Sequence, residues 1–176
     1  MTRLRRISAV KPGAQEFAEA AERHLDDVYA FLVYLTGDRN VAEELTAETF
    51  ARACERWRRF DPSRGSARTW LCQLARSTAL DHFRAEDRRR RREGRYAFEL
   101  AESEDAVFGE GLSPALELAL SRLSAAEREV LALRVVLELD GESAGRVLGI
   151  SATACSTRLS RALQKLEREV SAGVAA

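Results

Sequence analysis

Residues that favour β-strands are scarce in this sequence. The 176 residues include 11 Val, 8 Thr and 2 Ile, which are too few to build a β-sheet protein of this length. Ala, Leu, Glu and Arg, which are good helix formers, together make up just over half of the chain. The composition therefore predicts an all-α protein, and the length allows one medium domain or two small ones.

Cysteine and histidine are also rare. Cys54, Cys72 and Cys155 lie far apart, without a Cys-x-x-Cys spacing or a histidine in phase, which argues against a zinc site and a disulfide framework. We interpret all three as small buried or half-buried apolar residues. The histidines, His24 and His82, lack a convergent carboxylate and nucleophile, and there is no phosphate-binding glycine loop. The sequence predicts neither an enzyme nor a protein that uses a metal, a cofactor or a small-molecule substrate.

Long apolar runs are missing as well. No stretch of 18 apolar residues exists, so the sequence predicts no membrane span. The N-terminal sequence MTRLRRISAVKPG is basic, but no apolar segment follows it, which argues against a secretory signal. We therefore expect a cytoplasmic protein.

The charged side chains balance in number but are unevenly distributed. The 28 basic and 28 acidic residues give a net charge of zero. By segment the net charge is −3 over residues 1–49, +8 over 50–95, −8 over 96–145 and +3 over 146–176. Two basic segments on either side of an acidic one suggest two contacts with a polyanion, joined by a segment that avoids it.

Apolar periodicity and capping residues predict a first helical domain over residues 15–92. One helix ends at Gly37, and Asp38 begins a second helix. A loop at 59–66 follows, and Ser66 is predicted to cap a third helix that runs to about residue 90. Three helices of this length make one small domain.

The other segments differ in composition. Residues 1–14 are predicted to form a flexible leader, and residues 171–176 a flexible tail. The acidic, glycine-containing residues 93–112 are predicted to form a linker. A second helical domain is predicted over residues 113–170, where the sequence Ser-Ala-Ala-Glu from Ser124 forms a capping box.

The second domain ends in the pattern of a helix-turn-helix. A short helix at about 142–148 is followed by a turn that contains Gly149 and by a long helix at 152–169. Hydroxyl and arginine side chains, which can contact base edges and phosphates, face outward from the long helix. The alternative is an ordinary solvated helix face, which the preceding short helix and glycine turn disfavour.

The third helix is rich in arginine and ends in the five consecutive residues Arg88 to Arg92. A basic run is usually a solvated face, but Phe60, Trp70 and Phe83 lie beside this one. Basic and aromatic side chains together suit unstacked single-stranded bases better than duplex DNA. Trp70 falls on the packing side of the helix, so we interpret it as a core residue, whereas Phe60 suits either role.

Two parts of the chain resemble a known family. The first part consists of TGDRNVAEELTAETFARACERW and RTWLCQLARSTALDHFR. It resembles a domain of the group IV, or extracytoplasmic-function (ECF), sigma factors of the sigma-70 family, namely the domain that binds polymerase and melts the promoter. The second part, LSAAEREVLALRVVLELDGESAGRVLGISATACSTRLSRALQKL, resembles the second DNA-binding domain of the same sigma factors. The resemblance implies a sigma factor that binds core RNA polymerase, directs it to promoter DNA and helps melt the minus-ten element.

The resemblance also implies roles for individual residues. An acidic face of the second helix would dock on the polymerase through opposite charge, with the residues Glu44, Ala47 and Glu48. The loop and the third helix would bind the minus-ten element, with the residues Phe60, Arg64, Arg76, Ser77, Asp81 and Arg84. The last helix would read the minus-thirty-five element, with the residues Thr153, Ser156, Thr157, Arg158, Ser160 and Arg161. The acidic linker would follow the RNA exit path of the polymerase.

A stand-alone helix-turn-helix repressor or activator is the alternative function. It accounts for residues 124–170 but gives no role to the first domain, the acidic face or the linker. An anti-sigma protein is a further candidate partner. The terminal Ala175 and Ala176 resemble the tag that the protease ClpXP recognises, and the alternative there is an exposed chain end without a function.

Overall fold

The computed structural model describes residues 13–92, 108–109 and 111–174, and every regular element within them is helical. The first bundle consists of α1 (Ala14–Thr36), α2 (Arg39–Arg56) and α3 (Ala67–Arg92), with single-turn 3-10 helices at Trp57–Arg59 and Pro62–Arg64. The second bundle consists of α4 (Pro114–Ser121), α5 (Ala125–Leu131), a π-helical turn (Ala132–Val136), α6 (Gly141–Leu148) and α7 (Ala152–Val174). The predicted all-α class with two helical units is confirmed. None of the helices in the described ranges is long and apolar enough to cross a bilayer.

Local capping chemistry sets the helix boundaries of the first bundle where the sequence predicts them. Gly37 ends α1 with a φ of 70°, a left-handed conformation that glycine adopts without a steric penalty. The Asp38 carboxylate then accepts hydrogen bonds from the Asn40 and Val41 N–H groups at 2.8 and 3.1 Å and so begins α2. Ser66 Oγ accepts the Thr69 N–H at 3.2 Å at the start of α3.

The second bundle begins its helices in the same way. Ser124 and Glu127 form the predicted capping box, in which each side chain bonds to the backbone N–H of the other residue. Asp140 caps α6, because its carboxylate accepts the Glu142 and Ser143 N–H groups at 2.9 and 2.8 Å. The helix-turn-helix of α6 and α7 is therefore fixed locally at its first helix.

An ion pair and apolar side chains join α1 and α3. Buried residues at their contact include Val28, Phe31 and Leu71. Beside them the Arg68 guanidinium donates to both carboxylate oxygens of Asp27, each at 2.7 Å. Burial raises the pKa of Asp27, but the hydrogen bonds and charges of Arg68 and His24 outweigh it and hold this pKa below its ordinary value.

The two bundles pack against each other. Helix α3 contacts α6, and α1 contacts α5 and the π-helical turn. Their buried apolar residues belong to one continuous cluster. The sequence predicts two small domains joined by an acidic linker but does not predict this contact between them. Helical periodicity identifies the buried face of a helix but not the helices that cover it.

Three expectations differ from the structure in detail. Cys72 and Cys155 are buried, and burial raises the pKa of the Cys72 thiol to about 12, but Cys54 is exposed because it lies one position past the packing face of α2. Helix α7 continues to Val174, so residues 171–174 of the expected tail are helical. Phe108, within the expected linker, is only 3% exposed.

Several expectations fall on residues that lie outside the described ranges. They are residues 1–12 of the leader predicted over 1–14, most of the acidic linker, and the degradation signal at Ala175 and Ala176, whereas Ala14 is the first residue of α1. These expectations stay predictions.

Gly145 allows the tight approach between α6 and the turn that follows it. An added Cβ atom would lie 2.7 Å from the Ile150 carbonyl oxygen and 3.4 Å from the Ala152 nitrogen. The Ile150 N–H also donates to the Gly145 carbonyl oxygen at 2.9 Å, which holds the two segments together. A glycine inside this short helix is therefore required by packing, although glycine lowers helix propensity.

We expect Gly145→Ala to lower the free energy of unfolding by about 1 to 3 kcal/mol, because its methyl group would overlap backbone atoms of the turn. Helix propensity alone predicts the opposite sign, a gain of about 1 kcal/mol. Gly141→Ala is the matched control, because its Cβ would meet only ordinary contacts, the nearest at 3.8 Å. Denaturant unfolding monitored by circular dichroism measures both, and a stabilised Gly145→Ala protein would show that packing does not require glycine at this position.

Candidate nucleic-acid interface

An aromatic cluster lies at the junction of α2, the loop and α3. The Phe60 ring stacks on Trp57 with ring centroids 4.9 Å apart and also contacts Trp70 at 5.6 Å. Trp57 meets Trp70 edge-to-face at 5.7 Å and Phe17 at 5.5 Å. Phe60 remains half-buried, so one part of its ring packs while the other part stays accessible. Phe60 therefore packs in the cluster with part of its ring exposed, and its role as a platform for bases stays a prediction.

The loop beside this cluster is held by a short turn. The Asp61 carboxylate accepts the Ser63 N–H at 2.9 Å and the Ser63 hydroxyl at 2.7 Å. These hydrogen bonds lower the pKa of Asp61, so the carboxylate stays ionised. Arg64 follows in the same turn with an exposed side chain. The loop therefore presents a fixed backbone, a half-accessible ring and an exposed guanidinium side by side.

A series of ion pairs connects α2 with α3. The Arg52 guanidinium donates to Glu48 at 2.5 Å and to Asp81 at 3.1 Å, and Asp81 also accepts from Arg84 at 3.4 Å. Arg52 is half-buried and its partners are exposed, so the pairs orient side chains more than they stabilise the fold. The family resemblance predicts that Glu48 contacts polymerase and that Asp81 contacts DNA. Arg52, for which the sequence predicts no role, bridges these two carboxylates.

Arg76 is engaged with the second bundle. Its Nε donates to Glu129 Oε1 at 2.9 Å, and its Nη2 lies 3.5 Å from Oε2 of the same carboxylate. The Glu129 side chain is only 5% exposed, whereas Ser77, on the next position of α3, is exposed. Burial raises the pKa of Glu129, because desolvation outweighs the attraction of Arg76 and Arg158.

Two further hydrogen bonds join the predicted minus-ten surface to α6. Gln73 Nε2 donates to the Arg146 carbonyl oxygen at 3.1 Å. Arg146 Nη1 in turn donates to the Arg64 carbonyl oxygen, also at 3.1 Å. The first helix of the helix-turn-helix therefore lies against one face of α3 and hydrogen-bonds to the loop before it.

Helix α7 presents to solvent the side chains that are predicted to contact DNA. Thr153, Ser156, Thr157, Ser160 and Arg161 are exposed, as the periodicity predicts, and only Arg158 is half-buried. The Ser156 and Thr157 hydroxyls donate to carbonyl oxygens one turn earlier at 3.0 Å, which leaves their oxygen lone pairs free to accept hydrogen bonds. This face therefore has the exposure and the mixed donors and acceptors that base-edge contacts require.

The acidic face of α2 is also exposed. Glu44 and Ala47 point to solvent, and the Glu48 carboxylate is 47% exposed beside Arg52. A shallow apolar groove between α1 and α2 continues this face, with Leu25, Ala47 and Phe50 among the residues that line it. The face thus combines negative charge with apolar area.

The sequence does not predict that Arg128 and Glu129 are buried at the contact between the bundles. Both are charged residues on an amphipathic helix, so periodicity alone places them in solvent, yet both are buried. Their one available signal is their position in the middle of the short, mostly apolar helix α5. Among the residues that the structure describes, no group of three His, Cys, Asp or Glu side chains could hold a metal ion.

Two protein families match this chain. Residues 20–89 match the family described as Sigma-70 region 2, and residues 113–166 match Sigma-70, region 4. These ranges correspond closely to the two bundles. Their order along the chain is also that of the two surfaces described above.

Curated relatives match over nearly the whole chain. ECF RNA polymerase sigma factor SigM of Bacillus subtilis is 30% identical over 168 residues, which cover 89% of this chain and 96% of the relative. Probable RNA polymerase sigma-C factor of Mycobacterium bovis is 31% identical, with coverage of 91% and 86%. ECF RNA polymerase sigma factor BldN of Streptomyces coelicolor is 32% identical over 88% of this chain, which spans 60% of that relative.

Solved structures share the fold. The sigma factor RpoE in complex with the anti-sigma factor NepR, from Bartonella quintana, aligns with a TM-score of 0.68 and 24% identity over 89% of this chain and 98% of that one. CnrH in complex with the cytosolic domain of CnrY aligns with a TM-score of 0.63 and 21% identity, covering 90% and 89%. The matched regions and the relatives agree, and the chain belongs to the ECF group of sigma-70-type RNA polymerase sigma factors, which direct RNA polymerase to promoters.

Proposed function

We propose that the two bundles contact the two promoter elements separately, while α2 contacts core RNA polymerase. The observation that supports this proposal is that the two bundles of one sigma factor chain carry two exposed surfaces of different chemistry. One surface combines arginines with an accessible aromatic ring, and the other is an exposed helix face of hydroxyls and arginines. They suit different forms of DNA.

The surface on the first bundle fits the melted minus-ten element. Phe60 offers a ring on which an unstacked base can pack, and Arg64 in the adjacent turn offers charge for the backbone. The α3 residues of this proposed surface, in order along the helix, are Arg76, Ser77, Asp81 and Arg84. Bases that stack on protein rather than on their neighbours stabilise the open strand, which is how this surface would help melting.

The surface on α7 fits the duplex minus-thirty-five element. A helix-turn-helix places its second helix in the major groove, where arginine, serine and threonine side chains reach base edges. The proposed contacts are Thr153, Ser156, Thr157, Arg158, Ser160 and Arg161.

The acidic face of α2 is the proposed polymerase contact. Its residues Glu44, Ala47 and Glu48 would meet a basic surface of core polymerase, and opposite charge accelerates and orients such an encounter. Since core polymerase is the partner, we place the site of action in the cytoplasm. No catalytic role is assigned to the chain, and an anti-sigma protein is a proposed inhibitory partner.

Transcription with purified components tests the whole proposal. We expect core RNA polymerase from a compatible bacterium to start transcription at a distinct set of promoters when this protein is added. A stand-alone repressor or activator would instead bind duplex DNA by itself and give core polymerase no new start sites. The absence of any promoter-dependent transcript contradicts the proposal.

We expect Glu44→Arg to weaken binding to core polymerase without unfolding the first bundle, because the side chain is exposed and faces away from the core. The charge reversal replaces attraction by repulsion at the proposed contact. Glu167→Arg makes the same change on an exposed position of α7 and serves as the control. A pull-down without DNA measures both variants, and equal capture of Glu44→Arg and wild type would refute this surface.

We expect Arg161→Ala to cost about 1 to 3 kcal/mol of binding at the minus-thirty-five element if Arg161 makes a bidentate base contact. Loss of a phosphate contact would weaken binding equally on all promoters instead. Arg168→Ala removes the same charge about 10 Å further along the helix and is the control. A panel of promoter variants separates the two cases, and an unchanged affinity on every promoter removes Arg161 from the site.

A further inference from the structure

Asp81 is an acidic residue in the middle of a surface that is proposed to bind DNA. It lies one turn after Ser77 and one turn before Arg84, on the same side of α3. A carboxylate at this place repels the phosphates of a DNA strand and attracts an arginine beside it. Arg84 therefore has two competing anionic partners, the Asp81 carboxylate and a DNA phosphate.

Both oxygens of the Asp81 carboxylate accept hydrogen bonds from arginines, but the two arginines differ. Arg52 Nη1 donates to Oδ2 at 3.1 Å, whereas Arg84 Nη1 donates to Oδ1 at 3.4 Å. The Arg52 side chain is 28% exposed and the Arg84 side chain is 67% exposed. The shorter bond thus comes from a half-buried side chain on another helix, and Arg84 is bound at a longer distance and largely in solvent.

Arg52 is held in place from its own helix. Its Nη2 donates to Glu48 Oε1 at 2.5 Å, one turn earlier in α2. Burial lowers the pKa of Arg52, but the hydrogen bonds and charges of Asp81 and Glu48 outweigh burial and raise this pKa, so the guanidinium stays charged. Glu48 and Arg52 together present one fixed cation to Asp81.

This fixed cation changes what Arg84 can bind. Without Arg52, Asp81 would be free to form a two-pronged pair with Arg84, and that pair would use the donors that a phosphate needs. With Arg52 bonded to one carboxylate oxygen, Arg84 makes a single long bond to the other. Most of the N–H donors of Arg84 therefore remain available for DNA.

We propose that Arg52 is a positioning residue of the minus-ten surface, which occupies Asp81 so that Arg84 can bind a phosphate of this element. The inference rests on the proposed function, because it takes Arg84 as a contact to minus-ten DNA. Arg52 touches no nucleotide and acts through Asp81. A residue of α2 thus determines which anion an arginine of α3 binds.

Substitution of Arg52 in the holoenzyme tests this role. The probe is a fluorescein-labelled duplex of the promoter that gives the strongest transcript with the wild-type holoenzyme, and anisotropy measures its affinity across a potassium chloride series. We expect Arg52→Gln to weaken binding by up to about fivefold, the size of an exposed ion-pair effect. The slope of log affinity against log salt becomes shallower by about one, because one phosphate contact is lost. Each holoenzyme is purified before the titration, so a change in core affinity through Glu48 does not enter.

An Asp81→Asn background separates a positioning role from a direct contact. Once the carboxylate is an amide, no anion captures Arg84, so we expect Arg52→Gln to change neither the affinity nor the salt slope. Asp87→Asn is the matched background, because it removes a carboxylate that pairs with Arg91 at 3.0 Å on the same helix and leaves Asp81 intact. In that background we expect Arg52→Gln to cost as much as in the wild type.

NMR of the isotope-labelled full chain tests the capture of Arg84 without DNA. Rotation about the guanidinium C–N bonds slows when an ion pair holds the group in a two-pronged geometry. The Arg84 signal is assigned by its loss in Arg84→Lys. We expect slowed rotation of Arg84 in Arg52→Gln, but not in the wild type or in Arg52→Gln/Asp81→Asn, with equal helix content by circular dichroism.

A loss of DNA affinity that requires Asp81, together with slowed rotation of Arg84, supports the proposal. An equal loss in the Asp81→Asn background means that Arg52 contacts DNA itself or acts by charge alone, and it overturns the proposal. No loss in any background, or unchanged rotation of Arg84, overturns it as well. If the wild-type holoenzyme starts no transcript, the proposed function is contradicted, and the NMR comparison alone decides whether Arg52 keeps Arg84 from Asp81.

Discussion

The buried guanidinium of Arg128 is the constraint on which the packing of the two bundles depends. It carries five N–H donors that must find acceptors once water is excluded, and it is only 7% exposed. The Tyr34 and Leu35 carbonyl groups at the end of α1 have the complementary need for donors, and the Leu123 carbonyl oxygen accepts a further bond at 2.5 Å. Arg128 of the second bundle therefore supplies donors to carbonyl groups of the first bundle, and these carbonyl groups supply acceptors to the buried guanidinium.

That single contact fixes the register of the other contacts between the bundles. With α5 held at the end of α1, Glu129 on the next position of α5 faces Arg76, and α6 lies along α3. Apolar burial then makes the core continuous across both bundles. The polar contacts specify which faces meet, while the apolar area supplies most of the driving force.

Opposite charge serves three purposes in this chain. It orients side chains at the surface, as Arg52 does between Glu48 and Asp81, and it ties helices within a bundle, as Asp27 and Arg68 do. Between the bundles, the Glu129 carboxylate pairs with Arg76.

The sequence by itself determined the helices, their caps and the outward face of α7. These features depend on residues within about four positions of each other, such as Asp38 with Val41 or Ser124 with Glu127, and a linear pattern records such spacings. Only the tertiary structure decided that Arg76 is paired and that Arg128 is buried. Arg76 and Glu129 are 53 residues apart, and Arg128 and Tyr34 are 94 apart. A charged residue on an amphipathic helix looks solvent-exposed in sequence until another helix from a distant part of the chain is packed over it.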